Sequence, residues 1–188
     1  MIEKIYVCGG SDGRILKELE CLDLETNQWK ALESMKSRRE EHGLTTGFDK
    51  KIYAIGGFNG KSCLRTVERY DPSKNQWEEV APMNTSRRSL SAITLPNGIY
   101  VLGGYDGEFY LNTVERYDIT TNQWFPIKSF KQARCTMACV GDSRFIYILG
   151  GYDDKPLNSV ERYDVVKDEW MCMRDMKNKR FMHAACMM

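Results

Sequence analysis

The stretch Ile52-Tyr53-Ala54-Ile55-Gly56-Gly57 decides the reading of this chain, because it returns three times. Its counterparts are Ile5-Tyr6-Val7-Cys8-Gly9-Gly10, Ile99-Tyr100-Val101-Leu102-Gly103-Gly104 and Ile146-Tyr147-Ile148-Leu149-Gly150-Gly151. The second glycines stand at 10, 57, 104 and 151, a constant spacing of 47. A period of that size marks structural repeats, each too small to bury its apolar face alone. A short β-branched and aromatic run ending in two glycines reads as a buried strand that stops where the backbone takes unusual angles or passes close to a neighbour.

The rest of each unit keeps step. A polar loop follows the glycines: Ser11-Asp12-Gly13, Phe58-Asn59-Gly60, Tyr105-Asp106-Gly107 and Tyr152-Asp153-Asp154. Val-Glu-Arg-Tyr-Asp comes next at 67–71, 114–118 and 160–164, and in a degenerate form as Leu19-Glu20-Cys21-Leu22-Asp23. A tryptophan then appears at 29, 77, 124 and 170, and ten residues later an arginine at 39, 87, 134 and 180.

Four double glycines with Tyr, Trp and Arg in register resemble the kelch repeat, and the resemblance covers essentially the whole chain. It is most similar to the kelch domains of BTB-kelch ubiquitin-ligase adaptors, which share the Glu-Arg-Tyr-Asp and Asn-Gln-Trp wording. The resemblance implies an all-β fold, a β-propeller of four-stranded antiparallel blades around a central channel. The repeats are expected at about 1–36 (partial), 37–83, 84–130 and 131–176, with a terminal strand within 177–188. With the strands of a blade lettered a (innermost) to d, the chain starts in strand b and stops after strand a. Three arrangements follow. The chain is a segment of a larger propeller; or Phe181–Met187 pairs with Ile2–Cys8 to close a ring of four; or two chains pair their edges. Closure would remove exposed strand edges, which otherwise favour aggregation.

The side-chain types agree with a propeller. Strands a carry small residues (Gly43, Ser91, Ala92, Ala138, Ala184), as crowding near an axis requires. Strands b are apolar on both faces, as in a strand covered on both sides. Strands c alternate, with Val67 and Arg69 on one face and Glu68 and Tyr70 on the other. The repeated Tyr and Trp are expected to fill the gaps between blades. No apolar period of 3.6 residues extends over ten residues, so no helix is expected.

Bulk composition excludes several classes. With 42% hydrophobic residues and a net charge of +1, the 188-residue chain is globular rather than disordered. Near-neutral charge gives no reason to expect nucleic acid. No apolar run approaches a membrane span and no secretory signal opens the chain, so neither membrane association nor export is expected. Seven cysteines, an odd number without Cys-x-x-Cys, read as reduced thiols in a cytoplasmic protein.

Catalysis is not expected. The only histidines, His42 and His183, share one repeat position, and two imidazoles fall short of the three ligands of a catalytic zinc site. The double glycines lack the Gly-x-Gly-x-x-Gly or Gly-Lys-Ser/Thr continuation of a phosphate loop. No metal, cofactor or catalytic residue is therefore assigned. The arginines at 39, 87, 134 and 180 read as structural donors to backbone carbonyls, and Glu68, Glu115 and Glu161 as paired within the sheet.

Function is expected where residues vary on the constant scaffold. One such set follows the double glycine: Ser11, Phe58, Tyr105 and Tyr152. The other follows the shared arginine: Glu40, Arg88, Cys135 and Phe181. The kelch resemblance implies that both positions lie on one face, in the b–c and d–a loops, and contact bound peptides. Aromatics and arginine are the usual interface anchors. Basic residues in the d–a loops (Lys36, Arg38, Arg88, Lys131, Lys177, Lys179) make a partial basic ring, interrupted by the b–c loop acids Asp12, Asp106, Glu108, Asp153 and Asp154, and point weakly to an acidic ligand. The resemblance thus implies a protein-interaction module, the substrate-recognition domain of a cullin-RING ligase adaptor; cullin would be reached only through a BTB domain, which these residues do not contain. The alternative is an actin-binding or cytoskeletal scaffold.

Overall fold

The computed structural model describes residues 4–188, so Ile2 and Glu3 of the expected N-terminal strand lie outside the described residues. Fifteen strands follow one another, and no helix occurs among the described residues. Blade I holds β1 (Lys4–Cys8), β2 (Leu19–Asp23) and β3 (Gln28–Leu32). Blade II holds β4 (Gly43–Thr46), β5 (Ile52–Ile55), β6 (Val67–Asp71) and β7 (Gln76–Val80). Blade III holds β8 (Ser91–Leu95), β9 (Gly98–Leu102), β10 (Val114–Asp118) and β11 (Gln123–Ile127). Blade IV holds β12 (Ala138–Gly141), β13 (Phe145–Leu149), β14 (Val160–Asp164) and β15 (Glu169–Cys172). Each sheet is an antiparallel meander, four-stranded in blades II to IV and three-stranded in blade I.

The last two strands of each sheet are joined by a tight turn whose chemistry is written in the sequence. Asn27, Asn75, Asn122 and Asp168 sit there with φ of 50–55°. Asn and Asp are the non-glycine residues that tolerate the left-handed region best. In three blades the same side chain also accepts the hydroxyl of the repeated tyrosine, as in Tyr70 to Asn75 at 2.8 Å, Tyr117 to Asn122 at 2.7 Å and Tyr163 to Asp168 at 2.7 Å. The tyrosine buries its ring and still satisfies its O–H.

Three apolar clusters fill the gaps between successive blades. Between blades II and III, Tyr53, Ile55, Val67 and Met83 meet Leu90, Ile99, Val101 and Tyr117. In blades II to IV the tryptophan leans on the tyrosine of its own blade, with ring centroids 5.0–5.2 Å apart. Its indole N–H reaches back to a carbonyl of the preceding blade: Trp77 to Glu33, Trp124 to Ala81 and Trp170 to Lys128, at 2.7–2.8 Å. In β6 and β10 both Val and Glu are buried, because both faces of an internal blade are covered and the glutamate has its own buried partner.

That partner is the shared arginine. Arg39 Nη1 donates to the carbonyls of Gly56 and Thr66 at 2.8 and 2.9 Å, and Nη2 lies 2.9 Å from Glu68 Oε1. Arg87 makes the same set with Gly103, Thr113 and Glu115, and Arg134 with Gly150, Ser159 and Glu161. The carboxylates also accept backbone amides, as Glu68 does from Lys36 at 2.6 Å. Each unit ties the loop arriving from one blade to the sheet of the next.

The double glycine belongs to this junction. Gly57 N donates to Arg87 O at 2.8 Å, and a Cβ on Gly57 would lie 2.6 Å from Glu40 O, at a φ of 94°. Backbone approach and left-handed conformation together exclude a side chain here. The innermost strands stand side by side, with β8 between β4 and β12. They are linked by contacts such as Thr45 Oγ1 to Thr94 Oγ1 at 2.9 Å and Ser91 Oγ to Met137 O at 2.8 Å.

Two expectations about the ends are corrected. Residues 181–188 form no strand, and β1 pairs with β2 alone among the described residues, so the expected pairing of Phe181–Met187 with the first strand is absent. Among the described residues no strand pairing joins blade IV to blade I. Accordingly Trp29, expected to fill a gap between blades, is 54% exposed, and Arg180 is exposed as well. Each has the right residue type, but among the described residues no neighbouring blade covers it as one covers its counterparts.

Candidate functional site

Backbone pairing places the two variable sets against each other. Glu40 and Phe58 exchange both backbone hydrogen bonds at 2.9–3.0 Å; Arg88 and Tyr105 do so at 2.9 Å, and Cys135 and Tyr152 at 3.0 Å. The residue after the shared arginine therefore always faces the residue after the glycine pair of the same blade. The junction that demands the glycines also fixes these side chains to a rigid frame.

On that frame the side chains form a continuous row. The Arg88 guanidinium carbon lies 5.0 Å from the Phe58 ring centroid and 5.4 Å from that of Tyr105. Tyr105 packs on Tyr110 at 5.3 Å, Tyr110 on Tyr152 edge-on at 6.0 Å, and Tyr152 on Phe181 at 5.2 Å. The row borders an open depression of about 490 Å³ that also touches Glu41, Ser89, Cys135, Thr136 and Met182. Phe58, Cys63 and Arg88 border a second hollow beside it.

Five of the eight expected positions meet at the main depression: Arg88, Tyr105, Cys135, Tyr152 and Phe181. Phe58 joins them across Arg88. Glu40 pairs with Phe58 but does not line either hollow, and Ser11 is exposed on blade I, bridged to Ile15. Ser11 stands apart because no residue after a shared arginine faces it among the described residues. Cys135 is buried where it lines the depression, and burial raises its thiol pKa above the ordinary cysteine value.

Tyr110 is the main member that the repeat pattern did not single out. It lies in the b–c loop five residues beyond Tyr105, bridged to it by backbone pairing. The signal was present as a third aromatic in a polar loop, but only the folding back of that loop places it between Tyr105 and Tyr152. Glu41, Ser89, Thr136 and Met182 were also missed. All four have φ of 49–53°, a local backbone feature that their side chains do not announce.

The electrostatics are less basic than loop charge suggested. Arg88 Nη1 stands 3.8 Å from Glu41 Oε1, which also accepts the Ser89 hydroxyl through its other oxygen. Arg38 donates to Ile15 O at 2.7 Å, and Lys36 stands 3.6 Å from Glu79, so both are engaged in the scaffold. Among the described residues no group of three or more His, Cys, Asp and Glu converges as a metal site. His42 sits against the Gly9 and Gly57 junctions, and burial, helped by the Arg39 charge, holds its pKa down at about 4. The cysteines are free thiols, with Cys8 and Cys139 pushed up to about 12 by burial.

The KLHDC2/KLHL20/DRC7 Kelch-repeats domain matches residues 1–188 of this sequence. The chain belongs to the kelch-repeat family. Kelch relatives include Kelch-like protein 7 of Rattus norvegicus, 45% identical over 71 residues, which span 38% of this chain and 12% of the relative. Kelch-like protein 23 of Homo sapiens is 32% identical over 96 residues, 50% of this chain and 16% of the relative. The Kelch repeat and BTB domain-containing protein F47D12.7 of Caenorhabditis elegans is 33% identical over 97 residues, 50% of this chain and 17% of the relative. The kelch repeats matched here thus span less than a fifth of the length of these relatives. Among solved structures, YjhT superposes with a TM-score of 0.83 at 16% identity, over 96% of this chain and 64% of that one. That likeness concerns the propeller fold alone. No helix among the described residues is long and apolar enough to cross a membrane.

Proposed function

We propose that this kelch domain is a protein-recognition module, and that its loop face takes a short peptide or loop of a partner protein. The observation that carries the reading is the row Phe58, Arg88, Tyr105, Tyr110, Tyr152 and Phe181 around an open depression on a rigid frame. A partly exposed aromatic surface of this kind supplies apolar anchor area at small entropic cost, and a half-exposed arginine among the rings offers paired donors to a carboxylate. An acidic residue in the partner is preferred, since it would compete with Glu41 for Arg88. Relatives whose printed names join kelch repeats to a BTB domain support a role as the recognition arm of a ubiquitin-ligase adaptor, with cullin contacted by another domain.

The test is peptide-array selection followed by calorimetry on the selected peptide. Tyr105→Ala should weaken binding by about 1–3 kcal/mol while leaving the thermal unfolding midpoint unchanged. Arg88→Glu should weaken it more than Arg88→Ala, with a difference that grows at low salt. Binding insensitive to both changes would place the partner elsewhere on the domain.

A further inference from the structure

Three repeat positions meet at each junction between blades: the residue before the glycine pair, the residue six after the tryptophan and the residue three after the shared arginine. Between blades II and III they hold Ile55, Met83 and Leu90, and between blades III and IV Leu102, Phe130 and Met137. Between blades I and II the same positions hold Cys8, Met35 and His42. Two junctions are thus apolar at these positions, and the third carries a thiol, a thioether and an imidazole.

The three side chains converge. Cys8 Sγ lies 3.4 Å from Met35 Sδ. His42 Cε1 and the Met35 methyl carbon lie 2.9 and 3.1 Å from the point that a Cβ on Gly9 would occupy, so imidazole and thioether close over the residue next to Cys8. Cys8 and Met35 are buried and suit an apolar core as they stand. His42 does not. Its Nδ1 is buried without a hydrogen-bond partner among the described residues, a costly arrangement where the other junctions place Leu or Met.

We propose that Cys8, Met35 and His42 form a binding site for a soft monovalent cation, copper(I). Thiolate, thioether and imidazole together are a donor set that this ion favours. No third His, Cys, Asp or Glu joins the group among the described residues, so the third donor is the methionine, a poor ligand for a harder dication. Charge selects the same ion. Binding replaces the thiol proton: Cys8–SH and Cu+ give Cys8–S–Cu and H+, and no electron is transferred. The buried product is neutral, as the thiol was. A dication would leave a net positive charge in the core, near enough to Arg39 to feel its field. Coordination also ties three segments across one junction: the end of β1, the loop after β3 and the loop entering β4.

Titration of the full chain with copper(I), under reducing and oxygen-free conditions with bathocuproine disulfonate as competitor, tests the site. Wild type should hold a single copper(I) ion against the chelator, and X-ray absorption should show one nitrogen and two sulfur neighbours. His42→Leu copies Leu90, and Met35→Leu nearly conserves volume, so both variants should keep the circular dichroism of the wild type. Each should bind copper(I) on the order of tenfold more weakly or worse, since loss of a mere supporting partner already costs a metal site about that much. Loading should raise the melting midpoint of the wild type and leave that of His42→Leu unchanged. A wild type that yields all its copper to the chelator overturns the proposal. Retention unaffected by both His42→Leu and Met35→Leu overturns it too, because the copper then sits on other thiols of the chain. Displacement of the bound ion by equimolar zinc(II) overturns the choice of a monovalent cation.

Discussion

A guanidinium with all its neighbours inside the protein is costly to strand. Arg87 is fully buried and held by Gly103 O, Thr113 O and Glu115. Arg87→Ala removes the cation and leaves a buried carboxylate without its partner, which typically costs about 3–5 kcal/mol. Chemical denaturation should show a loss of that size, while Arg88→Ala, one residue away and half-exposed, should change stability by under about 1 kcal/mol. His42 gives a pH-dependent counterpart. Its imidazole is neutral when folded, with a pKa near 4, against an ordinary value of 6.5. Between these values the unfolded chain takes up a proton that the folded chain refuses, so stability present above pH 6.5 is lost as pH falls towards 4. Urea titrations should show a His42 contribution of about 1–2 kcal/mol disappearing between pH 7 and 5. His42→Gln should flatten that part of the profile.

At the level of elements, the same sequence signature has different energies according to what covers it. Trp77 in β7 is buried against Tyr70 and donates to Glu33 O, whereas Trp29 in β3 is exposed. Trp77→Ala should cost about 3–5 kcal/mol, the range for truncating a large aromatic in a packed core. Trp29→Ala should cost under about 1 kcal/mol. Equal effects in calorimetric unfolding would contradict the burial difference between the two blades. The strands themselves were legible in the sequence: β5, β9 and β13 are continuous apolar runs ended by glycine pairs, and Asn-Gln-Trp in blades I to III, with Asp168-Glu169-Trp170 in blade IV, marks the turn into the outer strand. The glycines, read as a place of close approach, are where the backbone of the next junction passes within hydrogen-bonding distance.

For the whole molecule, the sequence by itself determined the repeat length, the order of strands, the kelch family and the identity of the variable positions. These follow from local patterning and from a period that every blade obeys. The sequence also identified the aromatic loop residues as the place to look for a partner, and Arg88, Tyr105, Tyr152 and Phe181 do converge there. Only the tertiary structure decided which of them stand together. Tyr110 enters the row because its loop folds back on Tyr105, and Ser11 stands outside it because no residue after a shared arginine faces it among the described residues. The fate of the ends was equally beyond local reading. Arg180 and Trp29 have the same wording as their buried counterparts, yet both are exposed. Burial belongs to the pair of blades on either side of a gap, and a residue's own repeat supplies only one of them.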